Sequence, residues 1–393
     1  MMLLSLSSCA TFDSFKAEFF GGEEAADTVK IGIYEPMSGE DKDEAAKEIA
    51  GIELAYSLYP TVDGRKVELV YQDNRSSIEG VETSITDLIN KKPVVILGSY
   101  GDANSLAASK YINKAKIPAI AITNSNPIIT ATTDYYFRVC IINTYQGDAL
   151  AYYAYEGLKA DKVCILVQEG DAESASIAQR FMTKFTELTG NADSIAVNSE
   201  YTGGEPDYTK QLEEIKASGA KVVLLPSGED DAETIIKDAN DMDLDVTFLG
   251  TSNWDSAKMV KNIGAEAASK AIYIRVSDSE AAQLSNKTYM DFQTIYESKY
   301  GEGEITDNAI ALGFDAYLVA TEAIRKAGAD GTGKDICDAI LDIKEFNGAT
   351  GKMSFTAKGD PRKMVTVYTI DVVTGGDIPM YTIDVDGKVN EIN

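Results

Sequence analysis

Residues 94–122 read VVILGSYGDANSLAASKYINKAKIPAIAI. Two apolar runs, Val94-Val-Ile-Leu97 and Pro118-Ala-Ile-Ala-Ile122, bracket a segment long enough for a helix. Neither run alternates apolar with polar residues. A strand that is apolar throughout is buried on both faces, the condition of a parallel sheet covered by helices. The stretch therefore reads as one β-α-β unit.

The same grammar extends outward. Val29-Lys-Ile-Gly-Ile-Tyr34 is a first strand, and Ile49, Ile52, Tyr56 and Tyr59 recur at the spacing of one buried helix face. Val67, Leu69 and Tyr71 form a second strand; Ser76-x-x-Glu79 has the form of a capping box before a helix carrying Val81, Ile85, Leu88 and Ile89. The pattern restarts with strand candidates at 162–167, 194–197, 221–225, 246–249 and 271–274. Helical stretches at 280–300 and 308–327 follow, then a β tail from Met364 to Ile370 and a turn at Asp386-Gly387. Two rounds of β-α-β predict an α/β protein of two doubly wound, parallel-sheet lobes, with a ligand site in the cleft at the carboxyl ends of the strands.

Composition removes whole classes of function. The chain has 393 residues with 63 acidic and 36 basic side chains, a net charge of -27, and no histidine. That field repels nucleic-acid phosphates, and surface acidity aids solubility. A Ser-His-Asp triad, a Cys-His pair and histidine-ligated zinc are all impossible. Cys9, Cys140, Cys164 and Cys337 include no C-x-x-C, and Cys164 lies in an apolar run as a buried thiol would. Asp241-x-Asp243-x-Asp245 begins like a calcium loop, but Val246 and Ser252 occupy the positions that need Gly and Glu. Gly348-Ala-Thr-Gly351-Lys352 is too short for a phosphate-cradling loop. No metal, no cofactor and no catalytic residues are expected.

The opening residues MMLLSLSSC end in Leu6-Ser7-Ser8-Cys9, which resembles a bacterial lipobox with Cys9 as the lipidated residue. The apolar run before it is short and lacks Lys or Arg, so the reading expects the true start upstream. Residues 10–27, rich in Glu, Asp, Gly and Ser and punctuated by Phe12, Phe15, Phe19 and Phe20, read as a tether. No other stretch reaches the ~18 apolar residues of a membrane span.

Ile31-Gly-Ile-Tyr-Glu-Pro-Met-Ser-Gly39 resembles the opening strand and loop of the leucine/isoleucine/valine-binding proteins, which are type I periplasmic binding proteins. The resemblance continues through residues 68–73, 117–127, 136–139 with Gln146-Gly147, Asp207-Tyr208, 248–255 and 346–355, in the family's order and spacing. It implies three crossovers, near Ile142 to Thr144, Arg275 to Asp278 and Gly351 to Met353. Residues 1–9 are then a leader remnant, 28–143 plus 277–351 the first lobe, and 144–276 plus 352–393 the second. The implied role is an extracytoplasmic, membrane-anchored solute-binding lipoprotein of an ABC importer. It would be a monomer that closes on a small polar ligand, an amino acid or a related compound, and delivers it to the permease. It would touch the membrane through the lipid anchor only, bind no nucleic acid and have no enzymatic activity. The alternative is a ligand-sensing receptor or regulator built on the same clamp; a hydrolase would need a nucleophile and base that the sequence does not offer.

In amino-acid-binding relatives a serine-rich loop and a following Ala/Ser/Thr segment hold the α-carboxylate. Here the loop is Gly98 to Ser105, and Asp102 stands where the carboxylate-binding serine is expected. Carboxylate against carboxylate is unfavourable unless one is protonated or a cation intervenes. Thr123, Asn124 and Ser125 keep polar groups in the second segment. On the second lobe, the resemblance places Glu173 and Gly228 at the aromatic positions and Ser252 at the acid that pairs with a ligand ammonium. The amino-acid clamp is therefore altered, and a cationic or polyhydroxy ligand is expected, with Tyr34, Tyr100 or Trp254 available for stacking. The plainer reading of Glu173, Glu229, Asp230 and Asp231 is general surface acidity. Trp254 fits a lobe-packing anchor nearly as well as a site.

Overall fold

The computed structural model describes residues 28–275, 286–301 and 308–392. Cys9, the tether and most of the second crossover lie outside them. The first sheet is formed by β1 (Thr28–Glu35), β2 (Thr61–Val62), β3 (Arg65–Asp73), β4 (Val95–Gly98), β5 (Ala119–Ala121) and β6 (Tyr136–Arg138), in the order β2-β3-β1-β4-β5-β6. All neighbours are parallel except the β2–β3 hairpin. Every residue of β4 and β5 is buried, as their unbroken apolar runs require, and β6 is buried too although it ends in Arg138.

Helices α1 (Lys42–Leu58), α2 (Val81–Asn90) and α3 (Asp102–Ala115) connect these strands. The expected capping box does not form: the cap position of α2 is Gly80, with no side-chain bond. Ser76 instead accepts the Asp41 N–H at 3.0 Å, so its hydroxyl ties down the loop before α1.

The second sheet takes β7 (Val163–Gln168), β8 (Ile195–Tyr201), β9 (Val222–Leu224), β10 (Thr247–Gly250) and β11 (Ala271–Arg275), all parallel. Its helices are α4 (Tyr145–Tyr152), α5 (Ala172–Thr189), α6 (Thr209–Ser218), α7 (Glu229–Asp241) and α8 (Ser256–Ile263). The chain then re-enters the first lobe through α9 (Lys287–Tyr300), α10 (Asn308–Ala327) and α11 (Gly333–Leu341). There α10 lies directly on α1. A Cβ on Gly51 would sit 1.9 Å from the Ile310 carbonyl oxygen, and one on Gly313 would sit 2.2 Å from that of Glu48. Only glycine permits this approach.

A small antiparallel sheet, β12 (Phe346–Gly348), β13 (Gly351–Phe355) and β14 (Pro361–Lys363), completes that lobe. Strands β15 (Val365–Ile370), β16 (Asp377–Ile383) and β17 (Val389–Glu391) then extend the second sheet antiparallel beside β11. Met353 and Phe355 belong to the first hydrophobic core and Val365 to the second. The chain therefore leaves the first core after Phe355, later than the expected Gly351 to Met353, because β13 stays paired to β12 and β14.

Each sheet has one switch point. In the first, the chain steps from β1 to β3 on one side and to β4 on the other; in the second, from β7 to β8 and to β9. Crevices for ligands open at the carboxyl ends of strands at such points.

Candidate functional site

At the first switch point β1 ends in Glu35 and β4 in Gly98, and β5 leads to Thr123. Glu35 Oε2 accepts the Tyr100 N–H at 2.6 Å. Glu48, on the buried face of α1, accepts the Thr123 hydroxyl proton at Oε1. Asn74 Nδ2 donates to Ser99 Oγ at 2.6 Å, Ser105 Oγ to the Ser99 carbonyl at 3.0 Å, and Tyr136 OH to the Gly98 carbonyl at 2.8 Å. The loop after β4 is thus fixed along its length.

The loop after β5 is fixed by a cation. The Arg138 guanidinium, 0% exposed, donates to the Asn124 and Asn126 carbonyls at 2.7 Å each and pairs with Asp360 at 2.8 Å.

Within this frame several polar atoms lack partners. Glu35 and Glu48 are both fully buried, and Glu35 Oε1 and Glu48 Oε2 receive no donor. Asn124 is buried with neither amide atom bonded, and Asp102 Oδ1 and Asn104 Oδ1 are unbonded too. Leaving such groups unpaired is costly, so their presence marks a place where something other than folding set the sequence. Burial raises the pKa of Glu35 well above the carboxylate range, and the nearby Glu48 charge adds to it against the Tyr100 N–H. Burial raises Glu48 as well, opposed by the Thr123 donors.

The second lobe is arranged differently. Glu229 and Asp230 share Lys258, at 2.8 and 3.0 Å. Asp231 accepts the Gly204 N–H at 2.7 Å and the Tyr208 hydroxyl at 3.0 Å. Glu173 accepts Asn143 Nδ2, at the first crossover, at 2.9 Å. The Ser252 N–H donates to Gln146 Oε1 at 2.9 Å. Gly228 is the exposed cap residue of α7, and a Cβ there would meet nothing within 4 Å. Thr251, next to Ser252, is buried with its hydroxyl unbonded.

Two expected stacking residues are elsewhere. Tyr34 is 0% exposed, with its hydroxyl on Ser84 Oγ at 2.9 Å beneath α2. Trp254 is 1% exposed; its N–H donates to the Ser227 carbonyl at 3.2 Å and its ring fills the space beside Gly250. Both rings are enclosed in their own lobes, so neither face is open to a ligand. Tyr100, Asp102 and Thr123 are half-buried and Ser125 exposed, in the two loops just described.

Glu35 and Glu48 were missed by sequence reasoning. Their signal was present: Glu35 ends an otherwise apolar strand, and Glu48 lies four residues before Ile52, on the inward face of α1.

Among the described residues, no group of three or more His, Cys, Asp or Glu could hold a metal, and no helix is long and apolar enough to cross a membrane. Cys140, Cys164 and Cys337 are buried free thiols.

The family model described as "Periplasmic binding protein" matches residues 28–377. The chain is 24% identical over 190 residues to an amino acid binding protein of Pseudomonas aeruginosa, covering 48% of this chain and 50% of the relative. It is 25% identical over 225 residues to the Leu/Ile/Val-binding protein BraC3 of Rhizobium johnstonii, covering 57% of this chain and 58% of the relative. It thus spans about half the length of the curated relatives it matches. Among solved structures, the leucine binding protein LivK of Thermotoga maritima is 28% identical with a TM-score of 0.56, over 91% of this chain and 99% of the other.

Proposed function

The chain belongs to the periplasmic binding protein family, and from that premise we propose that it is the extracytoplasmic solute receptor of an ABC importer. It closes two lobes on a small polar ligand, an amino acid or a related compound, and hands it to the permease. It works as a monomer, held at the membrane by lipid on Cys9. The observation that carries this reading is Asn124: a buried amide with neither atom bonded, on the loop after β5, next to half-buried Thr123, whose hydroxyl Glu48 holds. A ligand entering the crevice would supply the missing partners.

A thermal-shift screen of the full chain tests it. The panel holds amino acids, polyamines, betaines, nucleosides, sugars and aromatic acids. A compound that binds only the folded state stabilises it by ~2.7 kcal/mol at a hundredfold excess over its Kd. A concentration-dependent shift with no product formed supports the receptor; turnover of any compound, or no shift from any, sinks it.

A further inference from the structure

The two carboxyl groups of Glu35 and Glu48 lie within hydrogen-bonding reach of each other. Each uses one oxygen to hold a cleft loop, Tyr100 by its N–H and Thr123 by its hydroxyl. The remaining oxygens, Glu35 Oε1 and Glu48 Oε2, have no donor and no access to water. Two buried carboxylates in contact cannot both ionise, and two acceptors bond only through a proton. We propose that Glu35 and Glu48 share one proton, that the pair positions the Tyr100 and Thr123 loops, and that Thr123 Oγ1 consequently turns only lone pairs to the cleft. The first lobe then selects a ligand bearing a hydrogen-bond donor, an amine or ammonium N–H, at Thr123.

A threonine hydroxyl has a single proton, and here the Glu48 carboxylate takes it. Asp102, with Oδ1 unbonded, adds a second acceptor from the loop after β4. Asn124, nine-tenths buried and unbonded at both amide atoms, follows Thr123 directly. Among the titratable groups around the pair, Asp41, Glu44 and Lys47 act on Tyr100 from the start of α1, and the remainder are tyrosines and a thiol that burial keeps protonated. Burial raises Tyr34 on β1, Tyr136 on β6, Cys140 after β6 and Tyr100 after β4. Arg138 and Lys363 act on Cys140, and α10 meets Glu48 with backbone at Gly313. A second proton on the pair at low pH turns Glu48 from acceptor to donor, so amine binding weakens as pH falls.

The inference rests on the receptor reading for its ligand, but the proton can be sought without one. Infrared difference spectra of the full chain at pH about 7, against Glu35→Gln and Glu48→Gln, are expected to show one protonated carboxyl lost in each variant. Absence of that band in the unaltered chain overturns the pair. Binding is read with matched probes: leucine, isoamylamine and isocaproate; benzylamine and benzoate; a quaternary ammonium without N–H as control. Amines are expected to bind at least about tenfold tighter than the matched acids. Glu48→Leu, which cannot accept the Thr123 hydroxyl proton, is expected to abolish that preference. Glu48→Gln, whose amide oxygen still accepts from Thr123 and whose N–H replaces the shared proton, keeps the preference and loses its pH dependence. Glu35→Gln, whose amide N–H replaces the shared proton, keeps the preference and loses the pH dependence. If only acids bind, the receptor reading stands and this inference falls; if no probe in either screen binds, both fall. A Glu48→Leu chain that is less stable but keeps its amine preference also overturns it, as does a Glu48→Gln chain that keeps the pH profile.

Discussion

The two strand-end crevices of this molecule are both acidic, yet their acids do opposite things. On the second lobe, Glu229, Asp230, Asp231 and Glu173 are bonded to Lys258, to Tyr208 and a backbone N–H, and to Asn143. On the first lobe, Glu35 and Glu48 are fully buried with an oxygen each left over, and Asp102 and Asn124 carry unbonded atoms in the segments whose Tyr100 and Thr123 those glutamates hold. Those four carboxylates of the second lobe are paired, and the unbonded atoms at its strand ends are neutral hydroxyls, those of Ser227 and Thr251 among them; in the first lobe it is carboxylates that are held where a partner is missing. Specificity is therefore expected to reside in the first lobe, with the second closing over it.

The largest effect should come from the enclosed tryptophan. Trp254→Ala is expected to cost the second lobe about 3–5 kcal/mol of stability, by urea denaturation, because it leaves a cavity against Gly250. Ligand preference should be unchanged; a chain that keeps its stability but changes preference would return Trp254 to the site. Asn124→Leu is the converse experiment in the first lobe. Affinity for the best panel compound should fall at least about tenfold in calorimetry, with stability unchanged or raised, since a buried unbonded amide is removed.

A third expectation concerns pH. The folded-state pKa of the Glu35–Glu48 pair is raised by burial above the unfolded carboxyl value. A raised pKa means the folded state holds the proton more tightly. This contribution is fully present below the unfolded value and is lost as pH rises through the raised one, by about 1.4 kcal/mol for each tenfold difference in proton affinity between the folded and unfolded chain. Denaturation midpoints of the unaltered chain should decline as pH rises through that range, and Glu35→Gln should decline less. Parallel curves would contradict a buried shared proton. The smallest effect belongs to the second lobe's surface: Asp230→Asn, at a side chain 92% exposed, should change stability by less than about 1 kcal/mol and affinity not detectably. A marked loss of affinity there would erase the contrast between the lobes.

The fold was legible because burial on both faces of a strand writes itself as an unbroken apolar run; β4 and β5 were readable from residues 94–122 alone. The third crossover was misplaced because β13 and β15 are both short β runs, and only pairing shows that one belongs to each lobe. The loops after β4 and β5 were located through family resemblance. Within them, sequence could not separate Tyr100, half-buried near the crevice, from Tyr34, sealed beneath α2, because both are tyrosines near strand ends. Sixty-three acidic side chains hid the two that matter. A count of charges reports composition, whereas the chemistry of Glu35 and Glu48 depends on which solvent and which donors they were denied.

The most direct measurement is a crystal structure of the full chain with the compound that raises its melting temperature most. An N–H of that compound is expected within hydrogen-bonding distance of Thr123 Oγ1, with Asp102 or Asn124 as a further partner. A carboxylate facing Thr123, or a ligand held by the carboxyl ends of the second sheet alone, would contradict a donor-selecting first lobe.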